Sequence, residues 1–167
     1  VDGTALNACS GLETIDFAGA DVVVVPSMFV TEYDDHIAYD FKGQAYSAEL
    51  GDWEITKLPT NYRETKRIKL ETMVYVLYEA NDANETIELN YQLVSEGSGF
   101  NLDNEWHTVS DVKINGIAGK LFTSTEPEGT NMVFWVDEST EHAFVVTSSF
   151  PCEVLLELAK NVAPVGK

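Results

Sequence analysis

The final third of the chain limits the fold most narrowly, because it shows strand and turn signals in succession and then changes to a helical pattern. Residues 112–114 and 117–122 flank Asn115-Gly116, the dipeptide most typical of a two-residue β-hairpin turn. Two further strands are predicted at residues 131–137 and 141–148, joined by a short polar loop. These signals predict four consecutive antiparallel strands.

A helix is predicted to close the chain at residues 152–162. Its apolar residues recur at the spacing of one helical face, and such a face has to be buried against another element. The residues on this face are Leu155, Leu158, Ala159 and Val162. Because strands precede the helix, we expect an α+β fold in which a curved antiparallel β-sheet carries the C-terminal α-helix on one face.

The earlier part of the chain supplies further predicted strands. Residues 37–41 and 87–93 alternate between apolar and polar side chains, which is typical of strands with one buried face. Residues 73–78 are apolar on both faces, as in a central strand, whereas the polar, glycine-containing residues 95–105 predict a loop. Weaker strand signals lie at residues 22–25 and 46–50. No stretch has the composition of a linker, so we predict that residues 1–167 form a single domain.

The charge of the chain restricts its partners. It carries 28 acidic against 10 basic residues, a formal net charge of −18. A surface this acidic repels the phosphates of nucleic acids and anionic lipid headgroups. We therefore expect that the chain binds neither nucleic acid nor a membrane surface directly.

The basic residues concentrate in one segment. Arg63, Arg67 and Lys69 are predicted to lie on one face of a strand, together with Thr65. Two interpretations stay open. The segment is either a solvated face whose cations pair with neighbouring Glu and Asp side chains, or a stripe that docks an anionic partner. Arg63, Arg67 and Lys69 are therefore the candidate partner-binding residues.

Motifs for catalysis or cofactor binding are missing from the sequence. His36, His107 and His142 have acidic residues nearby, but none has the spacing of a metal-binding pair. The sequence also lacks a nucleophile elbow and a phosphate-binding glycine-rich loop. We therefore predict a non-enzymatic protein without catalytic residues, metal or cofactor.

Two further features leave alternatives open. Cys9 and Cys152 lie near opposite ends of the chain, and the sequence does not decide between a disulfide and two free thiols. No apolar run is long enough to span a bilayer. We therefore expect that any attachment to a membrane is made through an upstream tether.

Several short motifs between residues 53 and 163 resemble those of a known domain family. Near the start of this region, a Trp-containing strand is followed by Leu58-Pro59 and Tyr62. The later motifs are Val112-x-Ile114-Asn115-Gly116-x-x-Gly119, Asn131-x-Val133-x-Trp135 and Glu153-x-Leu155-Leu156-x-Leu158-Ala159. Together they resemble a family of domains of unknown function, with Asn61 where that family usually has Gly. Residues 1–50 match no family.

The resemblance implies a location and a role. Members of the family form the extracytoplasmic C-terminal part of membrane-anchored proteins and lipoproteins of Gram-positive bacteria, and some are joined to anti-sigma-factor-like regions. We therefore expect a sensing or protein-binding domain on the outer face of the cell membrane. The more specific expectation is that it belongs to an anti-sigma-type regulator. Its partner would be a protein or a small ligand at the cell surface. The alternatives are a lipoprotein-like carrier of an apolar ligand and a cell-wall hydrolase.

Overall fold

The computed structural model describes residues 27–42, 49–94 and 99–166. Its strands, in chain order, are β1 (Ser27–Glu32), β2 (His36–Lys42), β3 (Trp53–Ile55), β4 (Arg63–Lys69), β5 (Met73–Glu79), β6 (Ile87–Leu93), β7 (Gly99–Asp103), β8 (His107–Ile114), β9 (Ile117–Ser124), β10 (Asn131–Asp137), β11 (His142–Ser148) and β12 (Val162–Pro164). Among these residues there is one helix, α1 (Cys152–Lys160). The strand signal at residues 22–25, the first three residues of the signal at 46–50, and Cys9 lie outside the described residues. Residues 49–50 are described and are not in a strand.

The described residues fall into two compact units. The smaller unit is drawn from the described parts of Val1–Ser47 and Val94–Glu105, and the larger one from those of Ala48–Leu93 and Trp106–Lys167. The family-like motifs all lie within the larger unit. The organisation of residues 1–167 as a single domain stays a prediction.

The smaller unit contains an antiparallel sheet with the strand order β1-β2-β7. The predicted strand at 37–41 is confirmed as the middle strand. The predicted loop at 95–105 is wrong for its second half, because Gly99–Asp103 form β7 and pair with β2, with Tyr39 opposite Phe100. The polar sequence of β7 has little strand pattern of its own. The strand forms because it pairs with β2, which is distant in the chain.

The larger unit is built on a seven-stranded antiparallel sheet with the order β4-β5-β6-β11-β10-β9-β8. A row of directly paired residues runs across five of these strands on one face. The row consists of Val76, Leu89, Val146, Val133 and Leu121, and all five are buried. Burial of such a row is the main stabilising contribution of a sheet with one covered face.

Helix α1 covers this face of the sheet. Leu155, Leu158 and Ala159 are buried in the same apolar cluster as the row across the strands, and the helix packs against β8, β10 and β11. The predicted α+β fold, an antiparallel sheet with a C-terminal helix on one face, is therefore confirmed. The spacing of the apolar residues in the helix was sufficient to predict this contact.

The predicted hairpin at residues 112–122 is also confirmed. Asn115 and Gly116 both have positive φ, at 52° and 88°, as a two-residue hairpin turn requires. Farther along β9, Gly119 allows a close approach to β10, because an added Cβ there would lie 2.7 Å from the carbonyl oxygen of Phe134. The turn thus needs residues that tolerate positive φ, and position 119 needs a residue without a Cβ atom.

The chain continues beyond the helix into a short second sheet. The helix was predicted to reach residue 162, but it ends at Lys160 with Asn161 as its C-cap. Residues Val162–Pro164 then pair antiparallel with Trp53–Ile55. The helical prediction was two residues too long because Val162 continues the apolar spacing, although it is paired in a strand.

Candidate functional site

The two-stranded sheet of β3 and β12 forms one side of the candidate site. Val162 pairs with Ile55, and Pro164 pairs with Trp53. Backbone hydrogen bonds extend this pairing at both ends, because Thr56 N–H donates to Asn161 O and Val165 N–H donates to Asp52 O, each at 2.8 Å. Trp53 is therefore held between a strand of the family domain and the C-terminal segment.

Two tyrosine hydroxyls of the main sheet hold the β3 segment in place. The Tyr91 hydroxyl donates to Gly51 O and accepts from Trp53 N–H, both at 3.0 Å. The Tyr78 hydroxyl accepts from Ile55 N–H at 2.9 Å. Burial raises the pKa of Tyr78 to about 12, so this hydroxyl stays protonated and neutral over the physiological pH range.

Arg67 completes this hydrogen-bonded network. Its guanidinium group donates from Nε and Nη2 to the two carboxylate oxygens of Glu64, each at 2.9 Å. It also donates from Nη2 to Trp53 O at 3.1 Å and from Nη1 to the Tyr91 hydroxyl at 3.2 Å. The Glu64 carboxylate raises the pKa of Arg67, and the side chain is only 20% exposed. Arg67 therefore acts as a structural tie between β4 and the Trp53 segment.

The three predicted partner-binding residues do not share a face. The pairing register of β4 with β5 shifts between Glu64 and Lys66, which places a β-bulge at Thr65. As a result, Arg67 and Lys69 pair with the buried Val76 and Val74, whereas Arg63 pairs with Glu79 on the opposite face. The expectation of one shared face is wrong for Arg63, because a bulge adds one residue to the strand and reverses its alternation.

These cations contact neighbouring polar groups, as expected for the first of the two interpretations, a solvated face with paired charges. Lys69 Nζ lies 2.7 Å from Asp52 Oδ1, and Arg63 Nη2 donates to Asn81 Oδ1 at 3.3 Å. The hydrogen bond from Lys69 lowers the pKa of Asp52. The role of Arg63, Arg67 and Lys69 in binding a partner stays a prediction.

His142 is a buried titratable group that packs against the ring of Trp53. It is 3% exposed and packs among the rings of Trp53, Phe144 and Tyr91, with centroid distances of 5.4, 5.9 and 6.1 Å. Its Nδ1 lies 2.6 Å from Thr140 O. A carbonyl oxygen only accepts, so Nδ1 carries the proton and Nε2 presents a lone pair.

The Nε2 atom of His142 is buried and has no hydrogen-bond partner among the residues that the structure describes. Burial lowers the pKa of this histidine below its ordinary value of 6.5, so the neutral ring with an acceptor at Nε2 is the form present at neutral pH. An unpaired buried acceptor costs free energy. Such an atom can be satisfied by a donor from outside the chain, for example an ordered water molecule or a ligand.

A groove with a volume of ≈ 520 Å³ opens beside these residues, and we call it the Trp53–His142 groove. It is lined by Glu49, Gly51, Asp52, Trp53, Thr140, His142, Pro164 and Val165. All eight residues belong to the larger unit. The volume is within the range of sites for small ligands or for one or two side chains of a partner.

The Asp52 carboxyl group of this groove lacks the property that acid catalysis requires. A glycosidase needs a carboxylic acid whose pKa is raised so that it can donate a proton. The pKa of Asp52 is shifted the other way by Lys69. Within the described ranges, no three or more His, Cys, Asp or Glu side chains gather as they would around a metal ion.

Sequence reasoning missed most of this site. In the sequence, His142 differs from the other histidines in one respect: it alternates along its strand with Phe144 and Val146, which are buried. This alternation is the signal that predicts a buried side chain at position 142. Trp53 was noticed as part of a motif without a role. Cys152, by contrast, lies near Thr123, with 3.3 Å between Sγ and Oγ1, and its pairing with Cys9 stays open.

Comparisons with known proteins give a family for this domain. A family model described as "Domain of unknown function (DUF4367)" matches residues 52–162. Among curated proteins and among solved structures, no match was found. The described part of the chain has no helix that is both long and apolar enough to cross a membrane. The family match covers well over half of the chain and includes Trp53 and His142. The chain therefore belongs to the DUF4367 family, a family of domains of unknown function, as its motifs predicted.

Proposed function

We propose that this chain is a non-enzymatic binding domain of a membrane-tethered envelope protein, and that it holds its ligand or a segment of its partner in the Trp53–His142 groove. One observation carries this proposal. The groove is lined by a buried histidine whose acceptor atom has no donor within the described chain. A ligand that supplies a donor removes this free-energy cost, which favours the bound state.

The backbone on both sides of the groove is held in place, which supports a binding role. Its Trp53 side is held by the hydroxyls of Tyr78 and Tyr91 and by the Arg67 guanidinium group. Its His142 side belongs to β11, an interior strand of the seven-stranded sheet. A site that is ordered before the ligand arrives loses less conformational entropy on binding.

The location of the domain is a further part of the proposal. The family resemblance supports a place outside the cell membrane, in a protein that is tethered by another segment. The most specific version of this proposal is a sensing role in an anti-sigma-type regulator. An epitope inserted into the exposed residues Glu126–Glu128 of the full-length protein tests this location. We expect external protease to remove the epitope from intact cells while a cytoplasmic marker stays whole. Protection of the epitope until the cells are lysed would contradict it.

The carrier hypothesis gains no support from the packing under the helix. A carrier of apolar ligands needs an open apolar cavity between sheet and helix. In this domain Val133, Val146 and Leu155 fill that space and are fully buried. The groove lies instead at the rim, where carboxylates are present.

A panel of small fragments, observed through backbone amide NMR shifts, tests the binding role. We expect the fragments that bind to shift the signals of Trp53, His142 and Val165 together. Val165 is 49% exposed, so Val165→Trp is expected to fill the mouth of the groove without unfolding the domain, and Val165→Thr is the matched control. Loss of the shifts in Val165→Trp but not in Val165→Thr is expected. Shifts that are scattered over the surface, or no shifts at all, would contradict the proposal.

A further inference from the structure

The Trp53–His142 groove has an unusual balance of hydrogen-bonding groups. Glu49 and Asp52 contribute carboxylates, and His142 contributes an acceptor nitrogen. The backbone donors of Trp53 and Val165 are already used, because the former donates to the Tyr91 hydroxyl and the latter to Asp52 O. Pro164 has no backbone donor. Among the lining side chains the indole N–H of Trp53 is a donor, whereas the two carboxylates and the buried imidazole nitrogen are acceptors. Acceptors therefore predominate and favour a ligand that brings donors.

The charge of the surroundings narrows the class of ligand. Both carboxylates are on exposed residues, and the chain as a whole carries −18 charges, so cations are attracted to it. One ammonium group already binds at the rim, because Lys69 Nζ lies 2.7 Å from Asp52 Oδ1. The indole of Trp53 adds an aromatic wall, which is a favourable neighbour for a cation.

We propose that the Trp53–His142 groove binds an alkylammonium group, which donates hydrogen bonds to His142 Nε2 and to the carboxylates at the rim. This inference rests on the binding function proposed above and names the chemistry of the ligand. An ammonium group has three donors and no acceptor. It therefore matches a site that combines a neutral imidazole acceptor with two carboxylates, whereas a hydroxyl group would satisfy the imidazole alone.

Entry of the ammonium group involves Trp53. Of the three aromatic rings that surround the imidazole, only that of Trp53 lines the groove. In the proposed complex, a donor that comes from the groove reaches the buried Nε2 by displacing this indole. Ligand binding is therefore coupled to a rotation of the Trp53 side chain, and it changes the indole signals of Trp53 in NMR spectra.

Three probes separate the ammonium from the rest of the ligand. Nα-acetyl-lysine methylamide presents the group as part of a peptide, pentylamine presents it alone, and Nα-acetyl-norleucine methylamide has a similar chain without the charge. We expect both amines to shift the Trp53 indole and His142 signals and the norleucine derivative to bind about tenfold or more weakly, as the loss of a charged hydrogen bond implies. Binding by the lysine derivative but not pentylamine would identify a peptide as the source of the ammonium group.

Matched variants test which groups make the contact. His142→Phe keeps the aromatic shape but removes the acceptor, and we expect about tenfold weaker binding of the lysine derivative. Glu49→Gln removes one rim charge, and Glu153→Gln removes the same charge from the exposed start of α1. We expect weaker binding in Glu49→Gln and unchanged binding in Glu153→Gln. Equal effects of the last two variants would show non-specific attraction by the acidic surface and would overturn the inference.

The failure of this inference is distinguishable from failure of the binding function. If neutral fragments shift the groove signals while the lysine and norleucine derivatives bind equally, the ammonium inference is wrong and the binding function stands. If neither fragments nor amines affect the groove, both are wrong. Because Glu49 is an exposed residue, Glu49→Gln stays informative even if His142→Phe fails to fold.

Discussion

Two regions of the larger unit are held together by different means. Where α1 covers the sheet, buried apolar side chains such as Leu155, Val133 and Val146 belong to one hydrophobic cluster. At the rim beside β3, the same sheet holds its neighbour through the hydroxyl of Tyr91 and the guanidinium group of Arg67. The first region is a continuous apolar core, whereas the second is a polar network next to a groove.

The difference between the two regions explains why only one of them suits binding. Apolar packing is non-directional and fills space, which leaves no vacant hydrogen-bonding position. Hydrogen bonds fix segments in direction and distance, so a polar rim can keep a groove open while its walls stay in place. The unpaired Nε2 of His142 lies at the border between these two regions.

The largest effect is expected from an opening in the core. Leu155→Ala removes a fully buried side chain under the sheet, and a loss of about 2–5 kcal/mol in the free energy of unfolding is expected. Urea denaturation measures this loss. Leu156→Ala is the matched control, since Leu156 lies next to it in the helix and is only partly buried. Equal losses in both variants would show that the helix does not bury the face described here.

The rim is expected to depend on geometry more than on charge. Arg67→Lys keeps the positive charge but cannot reproduce the paired donors to Glu64 together with those to Trp53 and Tyr91. We expect a loss of about 1–3 kcal/mol in the free energy of unfolding, accompanied by shifted amide signals of Gly51 and Trp53.

Lys69→Met is the control for this variant. Lys69 is half-exposed, and its ion pair with Asp52 is at the surface, so we expect little change in stability. If Arg67→Lys were as mild as Lys69→Met, the network would be an ordinary surface ion pair, and the contrast between rim and core would fail.

The smallest effect is expected at the border between the regions and depends on pH. Burial lowers the pKa of His142 below 6.5 in the folded state, so the unfolded chain binds more protons than the folded chain as the pH falls below that value. The stability contributed by the neutral ring is therefore present above pH 6.5 and is lost as the pH falls toward the folded-state pKa. We expect His142→Phe to reduce this decline in pH-dependent unfolding experiments. An identical decline in both proteins would contradict the burial of an uncharged imidazole.

The fold of the core was largely predictable from the sequence, because its signals are local. Alternation placed the strands at 87–93 and 131–137, and Asn115-Gly116 placed the hairpin. Strands β1, β7 and β12 were missed, and the last two are each defined by a distant partner rather than by their own pattern. Apolar periodicity reports burial, but it does not report which strands pair.

The candidate site was less predictable for a related reason. In the sequence, Arg67 is indistinguishable from a cation that faces the solvent. Only the pairing register of β4 directs its side chain toward Tyr91 and Trp53. The groove itself requires the C-terminal segment to return to the start of the family domain. Long-range pairing of this kind has no local signal in the sequence.

The bulge at Thr65 has a consequence beyond the direction of Arg63. Strand β4 ends the seven-stranded order, and an edge strand offers backbone donors and acceptors to which a second chain can add. Exposed Ile68 and Leu70 lie on or beside this edge and would favour such an addition. The bulge interrupts the regular hydrogen bonding of β4, and several cations lie on the same strand. Both features protect the edge against aggregation with other copies of the protein.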